Sequence, residues 1–484
     1  MKRWLIVVEK PEDWEDVWPG ARVVTAADYL TRPEAYHEAR VINLCRSYRY
    51  QSVGYYVSLQ AEARNHRPLP GVMTMQDLKS RSSLRLLAGG EEELIRKSLR
   101  DLQSDEFTLS IYFGQNMAQR YRRLARALFN LFPAPLLRAR FRRREEWELV
   151  SLRPASLADV APAHRPFLFE AAARHFAGRR LTRAHPGRYD LALLVNAEEK
   201  APPSDEGALK RFARAAERVG FAVERIGAED FGRLGEFDAL FIRETTLVNH
   251  HTYRFARRAA LEGAVVIDDP DSILRCTNKV FLAELLKRRR LPTPRTCILV
   301  KGQKTDVEQL LGFPCVLKQP DGAFSQAVIK VADATELKAG LARFFSHSDL
   351  VLAQAYTPTE YDWRIGVLNG QALYACRYFM ARGHWQIINR DATGKMQTGG
   401  FETLPLDAVP DHVLNIAVRA ARAVGDGLYG VDLKQFGGRC QVIEVNDNPN
   451  IDKGVEDRVL GDELYLTIMR ELMRRVEARK QARA

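Results

Sequence analysis

A polar cluster follows a strand-like run near the carboxyl end of the chain, in the stretch VIEVNDNPNID at residues 442–452. Side chains alternate between the two faces of a strand, so Glu444 and Asn446 lie on one face. Asn448-Pro449 cannot continue a strand, because proline has no backbone N–H to donate. The side-chain oxygens of this stretch therefore gather at the end of a strand, where ligands bind in sheets.

Three sections of chain must position these residues. Residues 1–185 alternate strand-like runs with helical patterns, which predicts an α/β domain. Residues 186–275 alternate strands and helices more regularly, which predicts a small parallel-sheet domain. The last section, 276–484, begins with a helix that Thr277 or Asn278 can cap.

The bulk composition is that of a folded, multidomain protein. A chain of 484 residues exceeds the size at which one core keeps growing, so about two or three domains are expected. A hydrophobic content of 46% and a charged content of 28% exclude wholesale disorder. The first ten residues hold only five apolar residues in a row, and no run approaches the ~18 needed to span a bilayer. We expect a cytoplasmic protein without membrane association.

The scattered cysteines and the absence of several known motifs argue against other classes of protein. Six cysteines without a CxxC pair or a Cys/His cluster argue against a disulfide framework and a zinc site. The motifs of P-loop proteins, protein kinases, α/β-hydrolases and zincins are missing from the sequence. We interpret the pair His250-His251 as helix-start or surface residues rather than metal ligands.

Positive charge is concentrated in one stretch of the chain. The net charge is +12, and residues 117–188 alone hold sixteen arginines, no lysine and five acidic residues. One interpretation is a docking surface for an acidic protein, an acidic peptide or RNA. The other is a set of solvated helix faces on which arginine stems cover apolar surface. Both stay open.

The last two hundred residues resemble the RimK-type ATP-grasp ligases. The resemblance is carried by the order and spacing of several stretches, and the whole chain is similar to longer relatives with an additional N-terminal domain. It implies an α/β and α+β multidomain fold: an N-terminal α/β domain, a pre-ATP-grasp domain and an ATP-grasp domain of two α+β subdomains. The stretches are NLCRSYRYQSVGYY (43–56), TNK (277–279), FPCVLKQPDGAFSQAV (313–328), VLAQAY (351–356), YDWRIGV (361–367), the segment of Arg377, and GVDLKQFGGRCQVIEVNDNPN (430–450).

The resemblance implies cationic and backbone donors around the phosphates of ATP. Lys279, at a helix start, and Lys318, at a strand end, would contact the phosphates. The stretch PDGAFSQ is similar to the family's phosphate-covering loop, with Gly322 and Ser325 among its donors. This loop carries less glycine than is usual in the family.

The remaining nucleotide contacts are implied in the same way. Adenine would lie against the segment of Gln354, Ala355 and Tyr356, with backbone contacts at the last two. Asp362 would accept the ribose hydroxyls, and Asn389 matches an asparagine of the family. The arginine that usually precedes that asparagine is replaced here by Gln386, so its contact is not carried over.

Two arginines and three oxygen-bearing residues are implied in the chemistry. Arg364 and Arg377 would hold the transferring phosphate and the acyl phosphate. Mg²⁺ prefers carboxylate or amide oxygens together with phosphate oxygens, which Asp432, Glu444 and Asn446 supply. The implied cofactors are ATP and Mg²⁺ or Mn²⁺, with two metal ions.

The hairpin that joins Asp432 to Glu444 yields a geometric expectation. The two carboxylates share a face only if the connection has an odd count, so we expect Phe436 opposite Cys440 across a three-residue loop. A two-residue Gly437-Gly438 turn would place the carboxylates on opposite faces.

The predicted function is an ATP-dependent carboxylate–amine ligase acting through an acyl phosphate. The resemblance implies addition of glutamate or a similar amino acid to an amino acid, peptide or protein, with residues 454–456 near the substrate. Two alternatives stay open: an ATP-grasp ligase for non-glutamate substrates, and a non-enzymatic adaptor that binds RNA or an acidic partner through residues 117–188. A homo-oligomer also stays open.

The N-terminal section supports two interpretations. Arg46, Tyr48, Arg49 and Tyr50 follow a predicted strand, so they lie where α/β sheets usually bind ligands. The section either presents or recognises the second substrate, or it is a packing domain with a surface loop.

Overall fold

The chain forms two compact units, Met1–Pro186 with Glu229–Glu236, and Gly187–Ala228 with Phe237–Ala484. A computed structural model describes residues 3–14, 21–32, 35–36, 39–64, 66–79, 92–177, 187–320, 328–390 and 396–482. The predicted combination of α/β and α+β architecture is confirmed. The predicted boundary between residues 275 and 276 falls inside the second unit and stays a prediction.

The first unit begins with a parallel sheet in the order β2-β1-β3-β4. Strand β3 is buried along its whole length, as expected of a parallel strand covered on both faces. Ser52 accepts a hydrogen bond from the Tyr55 N–H and so caps the helix at Val53–Ala63. The elements are β1 (Arg3–Val8), β2 (Ala21–Thr25), α1 (Ala26–Thr31), β3 (Ala39–Asn43), α2 (Val53–Ala63), β4 (Pro68–Leu69) and α3 (Val72–Asp77).

An antiparallel sheet in the order β5-β6-β7 completes the first unit. Its central strand alternates buried Leu137, Ala139 and Phe141 with exposed arginines, so one face packs on the core and the other meets solvent. The elements are α4 (Glu92–Leu99), β5 (Glu106–Tyr112), α5 (Arg122–Leu131), β6 (Leu136–Arg143), β7 (Trp147–Pro154) and α6 (Arg165–Ala177).

This strand corrects one interpretation of the arginine-rich stretch. Arg138, Arg140 and Arg142 lie on a strand rather than a helix, so the helix-face interpretation is wrong for this part of residues 117–188. Glu106 on β5 lies 2.7 Å from the Arg142 guanidinium and 3.5 Å from that of Arg140. The docking surface for an acidic partner stays a prediction.

The loop after β3 divides its four highlighted side chains. Tyr48 is buried and donates to the carbonyl of Asn43 at 2.6 Å, whereas Arg46 pairs with Asp13 at 2.7 Å. Tyr50 is 64% exposed, and Arg49 is exposed as well. Tyr48 therefore packs in the core, and a role in substrate recognition stays a prediction for the others.

The second unit contains a parallel sheet in the order β11-β10-β8-β9, with α7 among the elements that cover it. Alternating strands and helices were predicted for this section, and the structure has that order. The elements are β8 (Tyr189–Leu194), α7 (Glu206–Arg218), β9 (Phe221–Ile226), β10 (Ala239–Ile242), α8 (His251–Leu261) and β11 (Val265–Ile267).

An antiparallel sheet in the order β12-β15-β13-β14 follows. Asn278 accepts from the Phe281 N–H and caps α10, whose first residue is Lys279. The elements are α9 (Pro270–Thr277), α10 (Lys279–Arg288), β12 (Thr296–Val300), α11 (Val307–Leu311), β13 (Cys315–Lys318), β14 (Val328–Val331), α12 (Ala334–Phe344) and β15 (Leu350–Ala355).

A five-stranded antiparallel sheet, in the order β20-β17-β16-β21-β22, carries six of the fourteen predicted site residues, including the three predicted metal ligands. One face packs on α13 through Trp363, Val431, Leu433 and Val445, and the other face carries polar side chains. The elements are β16 (Tyr361–Leu368), β17 (Gln371–Phe379), the ladder of β18 (Ile388–Arg390) and β19 (Met396–Thr398), β20 (Phe401–Leu404), α13 (Asp411–Val424), β21 (Leu428–Phe436), β22 (Arg439–Asn446) and α14 (Asp462–Gln481).

The hairpin β21–β22 corrects the expected loop. Phe436 pairs with Arg439 across Gly437 and Gly438, whose φ angles of 50° and 74° fit a two-residue type I′ turn. The expectation of a three-residue loop was therefore wrong. Asp432 nevertheless pairs with Glu444, because Ile443 is an extra residue in a β-bulge between Val442 and Glu444. The bulge, rather than the loop, places the two carboxylates on the same face of the sheet.

All six cysteines are free thiols, and five of them are buried. Within the described ranges, no helix has both the length and the apolar composition needed to cross a membrane.

Replacing Gly437 tests the turn. A Cβ there meets open space, so Gly437→Ala costs only the strain of φ at +50°, about 1 kcal/mol. We expect the thermal midpoint of the second unit to fall by roughly 2 °C. In Gly400→Ala the new Cβ meets Phe379 at an ordinary 3.8 Å without positive φ, so that control should leave the midpoint unchanged. Equal midpoints for the two variants would contradict the turn assignment.

Candidate active site

The polar face of the five-stranded sheet brings together residues from three neighbouring strands. Arg364 on β16 pairs with Asp432 on β21, which in turn pairs with Glu444 on β22. Cross-strand partners share a face, so the three side chains form one row. Asn446, two residues beyond Glu444, lies on the same face.

Hydrogen bonds connect this row. The Arg364 guanidinium makes two bonds to the Asp432 carboxylate, Nε to Oδ1 and Nη2 to Oδ2, each at 2.8 Å. The Asn446 amide donates to Asp432 Oδ2 at 3.3 Å, and Lys279 Nζ lies 3.2 Å from Glu444 Oε1. Each of the two acidic side chains thus has a cation beside it.

Electrostatics couple Glu444 to two lysines. Burial alone would raise the pKa of Glu444, but the ammonium groups of Lys279 and Lys318 outweigh it and the pKa is lowered. Burial, followed by repulsion from Lys279 and Lys434, lowers the pKa of Lys318 to about 8, against the attraction of Glu444. Lys318 therefore loses its charge within an accessible pH range.

These residues line a cleft of about 580 Å³ in the second unit. Its size is that of a typical small-molecule site. Ten of the predicted site residues line it: Lys279, Lys318, Gln354, Ala355, Tyr356, Asp362, Arg364, Asp432, Glu444 and Asn446.

Four predicted residues cannot be placed in the cleft. Gly322 and Ser325 lie outside the described residues, and the side chain of Asn389 on β18 is likewise not described. Arg377 is described and lies elsewhere. It pairs with Trp363 on the core face of the sheet, with its Cζ 4.6 Å from the centroid of that ring, and its Nη1 lies 3.2 Å from Glu402.

Tyr378, next to Arg377 on β17, faces the cleft instead. Alternation puts these neighbours on opposite faces, so the pairing of Arg377 with the buried Trp363 leaves Tyr378 on the side of Arg364. The Arg364 Cζ lies 5.4 Å from the Tyr378 ring centroid. The structure thus does not bring Arg364 and Arg377 together, and sequence reasoning missed Tyr378.

The segment predicted to face adenine is held by its neighbours. The Ala355 N–H donates to the Arg295 carbonyl at 2.8 Å, so this donor is already used. Gln354 is buried and donates to Thr296 Oγ1 at 3.0 Å, whereas Tyr356 lies on the cleft wall beside Trp385. A backbone contact to adenine at Tyr356 stays a prediction.

Asp362 has a cationic partner that sequence reasoning missed. Lys434 Nζ lies 2.6 Å from Asp362 Oδ1, and Thr359 Oγ1 donates to the same oxygen at 2.9 Å. Burial raises the pKa of Asp362, and Lys434 opposes that rise. Lys434 lies two residues from Asp432 on β21, so strand alternation could have identified it.

A second acidic group lies at the Tyr378 side of the cleft. Glu456 is buried and accepts hydrogen bonds from the Tyr378 hydroxyl and, at 2.7 Å, from the Asp452 N–H. Burial raises the pKa of Glu456, which these hydrogen bonds oppose. Residues 454–456 were expected near the substrate, and Val455 and Glu456 do line the cleft.

Arg243, directly after β10, fixes the segment at residues 448–449, which follows the predicted metal ligand Asn446. Its guanidinium donates to Asn448 Oδ1 at 2.6 Å, to the Pro449 carbonyl at 2.8 Å and to the Pro203 carbonyl. Arg243 is 1% exposed and is therefore part of the core. Sequence reasoning missed it, because a single arginine after a strand carries no distinctive spacing.

The described side chains fit one kind of ligand. Two ammonium groups, a fixed guanidinium, two carboxylates and an amide suit a polyphosphate and a divalent cation bound together. The apolar part of the lining, which includes Ile443 from the bulge and Val316, suits a flat organic group.

Comparison with known proteins bears on this interpretation. Residues 26–171 match the family model of the RimK-like ATP-grasp N-terminal domain, and residues 276–469 match that of the RimK-like ATP-grasp domain. The α-aminoadipate–LysW ligase LysX of Sulfolobus acidocaldarius is 26% identical over 210 residues, which cover 42% of this chain and 72% of the relative.

Two further proteins are similar. A probable α-L-glutamate ligase 2 of Shewanella frigidimarina is 25% identical over 235 residues, which cover 47% of this chain and 75% of the relative. A crystal structure of D-alanine–D-alanine ligase from Bacillus anthracis aligns with a TM-score of 0.47 at 15% identity, covering 61% of this chain and 99% of that one. The two family models and the sequence relatives show that this chain belongs to the RimK-type ATP-grasp ligases and carries their additional N-terminal domain.

Proposed function

We propose that this ATP-grasp ligase joins a carboxylate to an amine in an amide bond, at the expense of ATP, in the cleft lined by Arg364, Asp432 and Glu444. The observation that carries the proposal is the hydrogen-bonded row of Arg364, Asp432 and Asn446, with Lys279 paired to the adjoining Glu444. Lys318 lies close enough to lower the pKa of Glu444.

Mg²⁺ fits the residues of this row. Asp432, Glu444 and Asn446 lie on one face, and Asp432 Oδ1, which accepts a hydrogen bond from Arg364 Nε, keeps a further lone pair for a cation. The cation would be held there by Asp432, Glu444 and Asn446. When bound, it neutralises phosphate charge as a Lewis acid. Lys279 and Lys318 would contact the phosphates.

The reaction is a phosphoryl transfer followed by an acyl transfer. A carboxylate oxygen of one substrate attacks the γ-phosphorus of ATP, the bond to the bridging oxygen breaks, and ADP leaves. The amine nitrogen then attacks the acyl carbon, the bond to the phosphate oxygen breaks, and the released phosphate carries away the amine proton. Arg364, fixed by its two bonds to Asp432, is positioned to stabilise the charge on the transferring phosphoryl group.

The relatives support a proposal for the substrate class. One relative is named as a ligase of α-aminoadipate and another as a probable ligase of glutamate. We infer that one substrate here is glutamate or a similar amino acid, and that the acceptor is the amine of an amino acid, peptide or protein. An ATP-grasp ligase for non-glutamate amino acids would use the same nucleotide residues.

A product screen tests the function. The full chain is incubated with ATP, Mg²⁺ and pooled amino acids and dipeptides, and ADP and products heavier by one residue are measured. We expect both to form, and Glu444→Gln to reduce ADP formation by at least about 100-fold. The control Glu402→Gln, on an exposed side chain of β20, should keep the wild-type rate. Loss of ADP formation in both variants, or in neither, would contradict the assignment.

The pKa of Lys318 predicts a pH dependence of ATP binding. Phosphate contact favours the charged ammonium, so bound ATP raises a pKa that stands at about 8 in the free protein. The affinity for ATP is therefore at its maximum below pH 8, and it falls by up to about tenfold for each pH unit above pH 8. Calorimetry from pH 7.5 to 9.5 measures this fall, in a range where ATP keeps one charge state.

Two variants serve as controls for this titration. Lys318→Met should bind ATP weakly and without the pH dependence, whereas Lys304→Met, on an exposed lysine, should keep the wild-type profile. An affinity that does not change between pH 7.5 and 9.5 in the wild-type protein would refute a phosphate contact by Lys318.

The opposite faces of Arg364 and Arg377 predict opposite outcomes for one conservative change. Arg364→Lys keeps the charge but loses the paired bonds to Asp432, so ADP formation should fall by at least about 100-fold. Arg377→Lys, on the core face, should stay within about threefold and lower the thermal midpoint slightly through its lost stacking on Trp363. A loss in Arg377→Lys as large as that in Arg364→Lys would refute the face assignment.

A further inference from the structure

Two histidines and a glutamate converge at the carboxyl edge of the parallel sheet. Glu244 follows β10, and His250 and His251 lie at the start of α8. One potential ligand atom from each of the three lies within 4.8 Å of the other two. In a tetrahedral zinc site with bonds of about 2.0–2.1 Å, ligand atoms lie roughly 3.4 Å apart, so small side-chain rotations close the difference.

The side chains of this cluster are held by further hydrogen bonds. Asn196 Nδ2 donates to Glu244 Oε1 at 3.1 Å, and Glu244 Oε2 lies 2.9 Å from His251 Nε2. His250 Nδ1 lies 3.0 Å from Thr252 Oγ1, so Nε2 is the nitrogen of that ring that would bind a metal ion. Partners of this kind orient histidine and carboxylate ligands in metal sites.

The position in the sheet is one where ligands bind. In the order β11-β10-β8-β9, the chain passes from β8 to β9 on one side and then returns to β10 on the other side of β8. The crevice at the carboxyl ends of β8 and β10 is therefore the topological switch point of this sheet. Asn196 follows β8 and Glu244 follows β10, so both lie beside that crevice. The Glu244 side chain is 3% exposed and that of His251 is 21% exposed, which leaves one side of the cluster open to solvent.

We propose that Glu244, His250 and His251 form a binding site for a divalent transition-metal ion, with Zn²⁺ as the best fit. Two imidazoles and one carboxylate are a common zinc ligand set that keeps a fourth position open. Mg²⁺ is excluded by the same donors, because it prefers oxygen ligands. The site is separate from the row of Asp432, Glu444 and Asn446, and its three residues are not part of the described cleft lining.

An ion pair alone explains less of this arrangement. The contact between Glu244 and His251 is sufficient to pair the carboxylate. It does not explain why the ring of His250 lies beside that of His251, with the two centroids 4.0 Å apart. A metal ion would use all three. It would also fix the end of β10, where the Glu244 carbonyl accepts from Asn448 Nδ2 at 2.7 Å.

Metal titration of the full chain tests the proposal without reference to catalysis. Chelator-treated protein is titrated with ZnCl₂ by calorimetry, and with CoCl₂ while visible absorption is recorded. We expect one equivalent of Zn²⁺ and a Co²⁺ d–d band in the wild-type protein, unchanged by excess Mg²⁺. His250→Gln, His251→Gln and Glu244→Gln should each lose the band and weaken Zn²⁺ binding by at least tenfold.

The control is an exposed histidine outside the cluster. His347→Gln should keep both the equivalent and the band. The two histidine variants decide the outcome if Glu244→Gln does not fold. Zn²⁺ binding that is equal in wild type and the histidine variants, or no binding in the wild type, would overturn the proposal.

Discussion

The pairing of two carboxylates with two cations is the constraint on which the site depends. Asp432 and Glu444 lie side by side on one sheet face, and their charges would repel if Arg364 and Lys279 did not contact them. Removing one partner of such a partly buried pair typically costs about 3–5 kcal/mol, because the other charge is left uncompensated. The same charges suit a cation and a polyphosphate, so the arrangement that keeps the face folded also makes it a binding surface.

That pairing requires the two faces of the sheet to stay distinct. The core face carries Trp363, Val431 and Val445 against α13, and the polar face carries Arg364, Asp432 and Glu444. Since side chains alternate, a slip of one residue would bury the charges and expose the core. The bulge at Ile443 is therefore essential. Because the turn at Gly437-Gly438 has two residues, the extra residue is needed to return Glu444 to the face of Asp432, and it also adds an apolar side chain to the cleft.

Local patterns in the sequence were sufficient for many of the elements, whereas most site positions were implied by the resemblance to the family. The cap at Asn278, the strand ends at Lys318 and Asn446 and the regular alternation of residues 189–267 depend on neighbours in the chain. The misplaced features depend on register, which distant strands set. Arg377 was assigned to the chemistry by resemblance, which does not show that its strand pairs it with Trp363 on the core face. The bulge was missed because the irregularity was expected in the loop rather than within the strand. The alternation of Leu137, Arg138, Ala139, Arg140 and Phe141 was visible, but charge dominated the interpretation of that stretch.

A crystal structure of the full chain with Mg²⁺ and a non-hydrolysable ATP analogue would test the central assignment most directly. We predict a cation with bonds of about 2.0–2.1 Å to oxygens of Asp432 or Glu444 and to the phosphates, with Lys279 and Lys318 beside the phosphate chain. A nucleotide bound away from this face, or a cation with no contact to either carboxylate, would contradict the account.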